Sequence, residues 1–303
     1  MMESASIIIL LSTYNGELYL REQLDSIYHQ TYKNFKIYVR DDGSQDGTEA
    51  ILEEYKNSYG NLYWYSGNNV GTSKSFFELM RSVPLEDAIY VFSDQDDVWM
   101  PCKLERVRKI FTEQCKDELF LYCGDTILVD EKLRVLKKEN FGDKIKPSFG
   151  NALIENICIG CTAAVNKLVI SKVIEKVPKN EVMHDWWIYL TAACYGTVFY
   201  DKEPLIYYRQ HSHNVMGSSV TGLERLRKRL KNYKNHRNQI SRQAKEFSKI
   251  YNVSGGNGIL LECIKQYKNS FKESLSLIWN KNIYRQRKTD NFIFKILFMF
   301  RQL

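Results

Sequence analysis

The segment AIYVFSDQDD, residues 88–97, joins five apolar residues through Ser93 to a cluster of three carboxylates. An apolar run of this length predicts a strand that is buried on both faces of a sheet. The carboxylates of Asp94, Asp96 and Asp97 repel each other unless a cation compensates their charge. Hard divalent cations prefer carboxylate oxygens and keep coordination positions open for phosphate. The segment therefore predicts a buried strand that ends at a metal site, and a solvated acidic turn is the alternative.

Apolar runs and helical patterns alternate on the amino-terminal side of this segment. A buried strand is predicted at 6–12, further strands at 35–40 and 62–65, and helices at 17–30, 45–59 and 73–81. Strands that alternate with helices of this length indicate βαβ units and a parallel sheet. We therefore predict an α/β fold with a mostly parallel sheet flanked by helices.

The pattern is less regular beyond Pro101. We predict strands at 119–129 and 197–208, a loop or hairpin at 131–148 and a helix at 183–195. From Gly222 the chain turns helical, and one helical face carries Leu223, Leu226, Leu230 and Tyr233. We accordingly expect a catalytic domain at 1–220, with halves at 1–100 and 101–220, and a helical basic region at 221–303.

Polar clusters stand where three of the predicted strands end. They are Thr13-Tyr14-Asn15, Asp41-Asp42-Gly43-Ser44 and Asp94–Asp97. Each cluster alone is compatible with turn chemistry. Ligands of open α/β sheets bind beyond the carboxyl ends of the strands, so the three clusters together predict one binding crevice. The sequence contains no GxGxxG after the first strand and no GxxxxGK[ST], which argues against a dinucleotide-binding dehydrogenase and a P-loop enzyme.

The cysteines indicate a reducing compartment. Seven of them are scattered through 303 residues, which is unlike a secreted disulfide scaffold. Cys158 and Cys161 have CxxC spacing without a second pair, and we predict buried structural thiols rather than a zinc or redox site. The sequence also has no run of eighteen apolar residues, so we predict no transmembrane helix and expect a cytoplasmic protein.

Six motifs, in this order, resemble the family-2 inverting glycosyltransferases of the GT-A fold, and bacterial rhamnosyltransferase-like enzymes of polysaccharide assembly in particular. They are STYNG (12–16), RDDGS (40–44), GTSKSF (71–76), SDQDDVW (93–99), HDWW (184–187) and YRQH (208–211). The resemblance covers about residues 5–215. The motif QxxRW of long-chain synthases is absent, which counts against a processive polymerase.

The resemblance implies roles for the donor half of the site. Ser12, Thr13 and Tyr14 would line the nucleotide base, and Asp42 would hydrogen-bond to it. Asp94 and Asp96 would form the DxD pair, with Asp94 near the ribose and the metal and Asp96 on the metal, Mg²⁺ or Mn²⁺.

A late histidine, His211, matches one that can complete the metal shell. The residues themselves leave two readings of His211 and His213 open, contact with a metal or phosphate and a plain polar loop role. Lys74 is a candidate for contact with the diphosphate, and an exposed helix lysine is the alternative.

The motif HDWW carries the predicted acceptor half. By resemblance, Asp185 matches the catalytic base. The residues themselves agree, because a carboxylate in a partly apolar pocket can accept a hydroxyl proton. The indoles of Trp186 and Trp187 are predicted as platforms for the acceptor sugar. Two alternatives remain: Asp185 as a helix cap, and His184 as the base.

Together with the resemblance, these residues predict a metal-dependent hexosyltransferase that acts by a single displacement. The expected donor is dTDP-L-rhamnose or a UDP-hexose, and the expected acceptor is a glycan on a lipid carrier, in bacterial cell-surface polysaccharide synthesis. A sugar nucleotidyltransferase is the first alternative, but the loop after strand one lacks the Gly-rich, Arg- or Lys-bearing sequence that holds a triphosphate. A non-catalytic membrane-surface binding protein is the second.

The charge distribution is asymmetric. Residues 221–303 carry 19 Lys and Arg against 5 Asp and Glu, and residues 1–220 carry 24 against 31. The acidic body opposes nucleic acid as the main ligand. The basic tail, with apolar Phe292, Ile293, Ile296, Leu297 and Phe300 at helical spacing, predicts peripheral docking on the anionic inner face of the cytoplasmic membrane. Packing of this apolar face on the catalytic domain, or in a homodimer, is the alternative.

Overall fold

The computed structural model describes residues 5–139, 145–211, 238–269 and 271–299. Its strands are β1 (Ile7–Thr13), β2 (Phe35–Asp41), β3 (Leu62–Ser66), β4 (Ile89–Ser93), β5 (Val98–Trp99), β6 (Leu119–Gly124), β7 (Thr126–Val129), β8 (Val135–Glu139), β9 (Ala164–Asn166), β10 (Gly196–Asp201) and β11 (Ile206–Arg209). Its helices are α1 (Leu20–Tyr28), α2 (Thr48–Tyr59), α3 (Thr72–Ser82), α4 (Lys103–Gln114), α5 (Phe149–Ala152), α6 (Lys167–Glu175), α7 (His184–Tyr195), α8 (Gln239–Ile250), α9 (Gly255–Gln266), α10 (Phe271–Trp279) and α11 (Lys288–Met299).

The main sheet has seven strands in the order β10-β6-β9-β4-β1-β2-β3. Strand β1 pairs in parallel with β2 and β4, β2 with β3, and β6 with β10. Only β9 runs antiparallel to its neighbours within this sheet. The predicted α/β fold with a mainly parallel sheet is confirmed, and a smaller sheet of order β5-β11-β7-β8 accompanies it.

Strand β1 lies at the centre of the core because both of its faces are covered. Its residues Ile7, Ile9 and Leu11 share one apolar cluster with residues of α1, α2 and α4. Helix α3 lies against β1 and β2, and its Phe76 ring contacts Phe92 of β4 with centroids 5.7 Å apart. Side chains alternate across a strand, so a run of consecutive apolar residues is needed when helices pack on both faces.

Two segments predicted as single strands are each divided between the two sheets. The predicted strand at 119–129 forms β6 and β7, and the predicted strand at 197–208 forms β10 and β11. The division falls where Gly124 packs on the backbone of Asp201, to whose carbonyl Asp125 N–H donates at 3.0 Å. The predicted loop or hairpin at 131–148 includes strand β8, which pairs with β7.

The chain forms two compact units. The first comprises residues 1–140, 158–177 and 195–211, and the second comprises 141–157, 178–194 and 212–303. Helices α8 to α11 belong to the second unit, in which Trp187, Phe247 and Tyr251 pack together.

The structure describes part of the predicted basic region. The predicted helical face of Leu223, Leu226, Leu230 and Tyr233 lies outside the described residues, as does the proposed boundary near residue 220. The division of the chain into 1–220 and 221–303 therefore stays a prediction. Among the described helices, none has the length and apolar character to span a membrane.

Candidate functional site

The carboxyl ends of β1, β2 and β4 bring the three polar clusters together in the first unit. In the parallel register, Thr13 lies opposite Asp41, and Leu11 lies opposite Ser93. The Thr13 hydroxyl donates to the Asp41 carboxylate at 2.8 Å, and the Asp42 N–H donates to the Thr13 carbonyl at 2.7 Å. The three clusters therefore lie close together, as expected for one binding crevice.

The three residues predicted to line the nucleotide base, Ser12, Thr13 and Tyr14, differ in solvent exposure. The Ser12 hydroxyl is 2.6 Å from that of Ser75 on α3, Thr13 is buried, and Tyr14 is exposed. The backbone of Tyr14 is fixed by the Gln95 side chain, which accepts from Tyr14 N–H at 2.8 Å and donates to its carbonyl at 2.9 Å. Gln95 therefore ties the loop after β1 to the acidic cluster after β4.

The adjacent carboxylates of Asp41 and Asp42 have different surroundings. Asp41 accepts from Thr13, from the N–H groups of Gly43 and Ser44, and from the Ser44 hydroxyl, so it closes its own turn.

Asp42 instead holds the loop before α3. Its two oxygens accept the N–H groups of Val70 at 2.9 Å and Gly71 at 2.8 Å, and one of them also pairs with Arg40 at 2.5 Å. Gly71 adopts φ +85°, a conformation that favours glycine. A carboxylate has about four acceptor positions, and these three donors occupy three of them in the almost completely buried Asp42.

Arg40 supports Asp42 and was not among the residues predicted from the sequence. It is fully buried, and its guanidinium also contacts the Glu78 carboxylate at 2.6 Å, the Ser75 hydroxyl at 2.9 Å and the Asn68 carbonyl at 3.0 Å. The signal in the sequence was a charged residue inside an otherwise apolar strand, directly before the acidic turn. Lys74, one residue from this cluster, is exposed on α3.

The acidic cluster after β4 meets the end of β11. His211 Nε2 lies 2.7 Å from Asp96 Oδ2, and the His211 ring stacks on Tyr19 with centroids 5.1 Å apart. Arg209 fixes this junction, because its side chain donates to the Asp96 carbonyl at 2.8 Å and pairs with Glu22. The carboxylate and imidazole that were predicted to share a metal are thus adjacent across 115 residues of sequence. Carboxylates suit Mg²⁺ and Mn²⁺, and imidazole is a ligand for divalent transition metals, so the pair fits a divalent metal.

A second cluster of ligand-type side chains combines the partly exposed Asp94 with the buried Asp97 and Cys161. Ligand-type atoms of Asp94, Asp97 and Cys161 lie within 4.8 Å of one another. Burial, and then the charges of Asp96 and Asp94, raise the pKa of Asp97 well above its usual value.

A buried lysine lies beside this cluster. Lys103 Nζ donates to the Cys161 carbonyl at 3.1 Å and lies 3.3 Å from the centre of the Trp99 ring, and burial lowers its pKa to about 7. Cys158 and Cys161 are both buried, as expected for the CxxC pair.

The HDWW motif forms the first four residues of helix α7 and belongs to the second unit. Asp185 is almost completely buried, and its carboxylate accepts the Trp186 N–H at 2.6 Å, so it contributes to the helix start. His184 is buried, and burial lowers its pKa to about 3. An imidazole with this pKa stays neutral at physiological pH.

The two tryptophans of the motif differ in exposure. Trp186 is partly exposed, and its Nε1–H donates to the Ala152 carbonyl at 2.7 Å. Trp187 has no exposed surface and packs against Phe247 and Tyr251, with ring centroids 5.3 and 6.1 Å apart. This burial argues against the predicted acceptor contact of Trp187, because a sugar cannot reach a ring enclosed in the core. Of the two predicted platform residues, only Trp186 is partly exposed to solvent.

Comparison with known proteins identifies the family. The model of glycosyl transferase family 2 matches residues 8–174, which is more than half of the chain. A dTDP-rhamnosyl transferase, RfbG of Shigella flexneri, is 29% identical over 228 residues, covering 70% of this chain and 75% of the relative. An uncharacterised glycosyltransferase of Rickettsia typhi is 26% identical, covering 73% of this chain and 69% of the relative.

Solved structures share the fold. TarS 1–349 of S. aureus, in complex with UDP-GlcNAc, has a TM-score of 0.63 at 17% identity, covering 91% of this chain and 76% of that chain. The mannosyltransferase PcManGT of Pyrobaculum calidifontis, in complex with GDP-Man and Mn²⁺, has a TM-score of 0.54 at 12% identity, covering 98% and 86%. The matching domain, the strand-end site and the similar fold agree with the resemblance of the motifs: the chain belongs to glycosyl transferase family 2 and has the GT-A fold.

Proposed function

We propose that this family-2 glycosyltransferase inverts configuration and transfers L-rhamnose from dTDP-rhamnose, or a hexose from a UDP-sugar, to a glycan hydroxyl in bacterial cell-surface polysaccharide synthesis. The observation that carries the proposal is the Asp96–His211 pair, set at 2.7 Å beside the strand-end clusters. The rhamnose assignment is supported by the similarity to a dTDP-rhamnosyl transferase.

The donor half would bind the nucleotide diphosphate. Ser12, Thr13 and Tyr14 would line the base, and the remaining acceptor position of Asp42 would take an N–H of the base. Lys74, exposed on α3, is the candidate for contact with the diphosphate.

The acidic end of β4 would hold the metal. Asp94, Asp96 and His211 would bind Mg²⁺ or Mn²⁺. Such an ion, when bound, stabilises the negative charge of a diphosphate leaving group. A ring nitrogen of His211 would be one of the metal ligands, and stacking on Tyr19 holds the imidazole ring in place.

The acceptor half would supply the base. Asp185 would take the proton of the acceptor hydroxyl, whose oxygen forms a bond to the anomeric carbon. The bond from that carbon to the phosphate oxygen breaks, and the nucleoside diphosphate leaves with the electron pair. Because one displacement occurs, the configuration inverts. Trp186 is the candidate platform for the acceptor sugar, whose glycan we propose to be carried on a lipid at the cytoplasmic side of the membrane.

A donor panel tests this proposal. We expect dTDP-rhamnose or a UDP-hexose to raise the melting temperature of the wild-type protein in the presence of Mn²⁺, and much less without it. A matched panel of nucleoside triphosphates addresses the sugar nucleotidyltransferase alternative. Release of pyrophosphate from a triphosphate, with no stabilisation by any nucleotide sugar, would replace the proposed function with that alternative.

A further inference from the structure

Helix α11 exposes an apolar stripe on the face opposite its buried side. Phe294 and Phe298, four residues apart, are buried in the second unit. Phe292, Ile296 and Met299 follow one another at spacings of four and three residues and are all exposed, Phe292 by 68%. These spacings place the three side chains on one helical face. Residues Ile293 and Leu297 of the predicted apolar face are only partly exposed, and Phe300 lies outside the described residues.

Helix α10, which lies against α11, has the same two-sided character. Ser274 and Leu277 are buried, whereas Phe271 and Trp279 are exposed, Trp279 by 79%. At about 100° per residue, Phe271 and Trp279 project within roughly 80° of each other. Helix α10 therefore adds two exposed aromatic rings to the surface of the second unit.

Basic residues accompany both stripes. Residues 271–299 contain six Lys and Arg against two Asp and Glu. Lys288 precedes Phe292 by one helical step of four residues, so it lies on the same face of α11. Lys295 adjoins Ile296, and Lys281 follows α10 closely. Within the part of the chain that the structure describes, none of these three lysines forms an ion pair with a carboxylate.

We propose that the exposed faces of α10 and α11, the α10–α11 face, dock on the headgroup region of an anionic lipid bilayer. The charge favours this partner, because anionic headgroups attract lysines that flank inserted apolar side chains. Lysine stems can lie along apolar surface while their ammonium groups reach the phosphates. The proposal goes beyond glycosyl transfer and does not depend on the proposed donor. A vesicle-binding experiment therefore tests membrane docking separately from the proposed transferase function.

Vesicle co-sedimentation of the full chain tests the proposal. We expect binding to phosphatidylcholine vesicles that contain phosphatidylglycerol, weaker binding at high salt, and little binding to phosphatidylcholine alone. The double variant Trp279→Ser/Phe292→Ser removes exposed apolar groups, so it should fold normally and lose about tenfold or more in binding. Lys288→Gln/Lys295→Gln should lose about fivefold per lysine.

Matched controls carry the same changes elsewhere. Leu85→Ser and Leu168→Ser alter exposed apolar residues of the first unit, and Lys109→Gln alters an exposed lysine of α4. These controls should bind vesicles like wild type. Equal binding to charged and neutral vesicles, or equal loss in the controls, overturns the proposal. So does a wild-type dimer that ignores vesicles and becomes monomeric in Trp279→Ser/Phe292→Ser, because the face would then bind a second copy.

Discussion

Single residues show how one side-chain type takes several roles in this site. Asp41 closes a turn, Asp42 holds the loop before α3, and Asp96 faces an imidazole. The sequence identified all three as polar residues at strand ends. It could not distinguish their roles, because these depend on contacts with Val70, Gly71 and His211, which are far away along the chain.

Replacing Asp185 separates binding from chemistry. Asp185→Asn keeps the volume and an oxygen that can accept the Trp186 N–H, so we expect donor binding close to wild type. The turnover number should fall by about 10²–10⁴-fold, the usual contribution of a general base. His184→Gln is the control, measured by the same product assay. An active Asp185→Asn beside an inactive His184→Gln would assign the base to the histidine.

Arg40 is predicted to position Asp42 and the loop before α3. Arg40→Met removes the charge partner of Asp42 and the contact to the Asn68 carbonyl, so the dissociation constant for the nucleoside diphosphate should rise by about tenfold or more. The turnover number at saturating donor should change far less, because Arg40 does not touch the reacting atoms in this account.

The matched control is Glu78→Gln, which breaks an ion pair of Arg40 from its exposed end and should change the dissociation constant by less than about fivefold. Calorimetric titration gives both constants. Equal affinity of Arg40→Met and wild type would remove Arg40 from the site.

His184 should make the protein sensitive to acid. Its folded-state pKa of about 3 lies below the ordinary value of 6.5, so the unfolded state binds the proton first as the pH falls. Stability is therefore unaffected above pH 6.5 and declines between pH 6.5 and 3, by up to about 2 kcal/mol from pH 6.5 to 5. Urea unfolding at pH 7.5 and 5 should show this decline in wild type and a smaller one in His184→Gln. Identical pH dependence of the two proteins would refute the assignment.

At the scale of elements, the alternation of strands and helices was predictable, and the exchange of strands between sheets was not. The strand β1 is continuous in the sequence pattern because helices cover both of its faces. The predicted strand at 119–129 is equally apolar, and periodicity alone does not show that it leaves one sheet for another at Gly124. The same limit applies to HDWW, since adjacent aromatic residues on a helix point to different sides, and only the packing of Phe247 and Tyr251 reveals that Trp187 is core.

The passage of the chain from one sheet to the other gives a prediction about Gly124. An added Cβ would lie 2.7 Å from the Asp201 carbonyl oxygen, which is backbone and cannot rotate away. Gly124→Ala should therefore lower the free energy of unfolding by about 1–3 kcal/mol. Gly256→Ala is the control, because its Cβ meets nothing within 4 Å and a helical alanine is favoured over glycine. Thermal unfolding should shift in opposite directions for the two variants, and an unchanged Gly124→Ala would contradict the close approach.

At the scale of the whole molecule, the chain combines a conventional family-2 catalytic core with a basic carboxyl-terminal region. The family model ends at residue 174, whereas Asp185 and His211 lie beyond it. These two residues could still be identified from the sequence, because each lies within a short continuous motif, HDWW or YRQH. The outward stripes of α10 and α11 needed the structure, since the apolar residues of a tail are divided between core and surface only when the helices are packed.

The most direct test of the central claim, metal-dependent sugar transfer at the strand ends, is release of nucleoside diphosphate from the donor that stabilises the protein. Wild type should release it with acceptor and Mn²⁺, EDTA should abolish the release, and added Mn²⁺ should restore it. Asp96→Asn should retain its thermal unfolding profile and lose most of the Mn²⁺-dependent release. Full activity in EDTA, or equal Mn²⁺-dependent release by Asp96→Asn and wild type, would contradict the account.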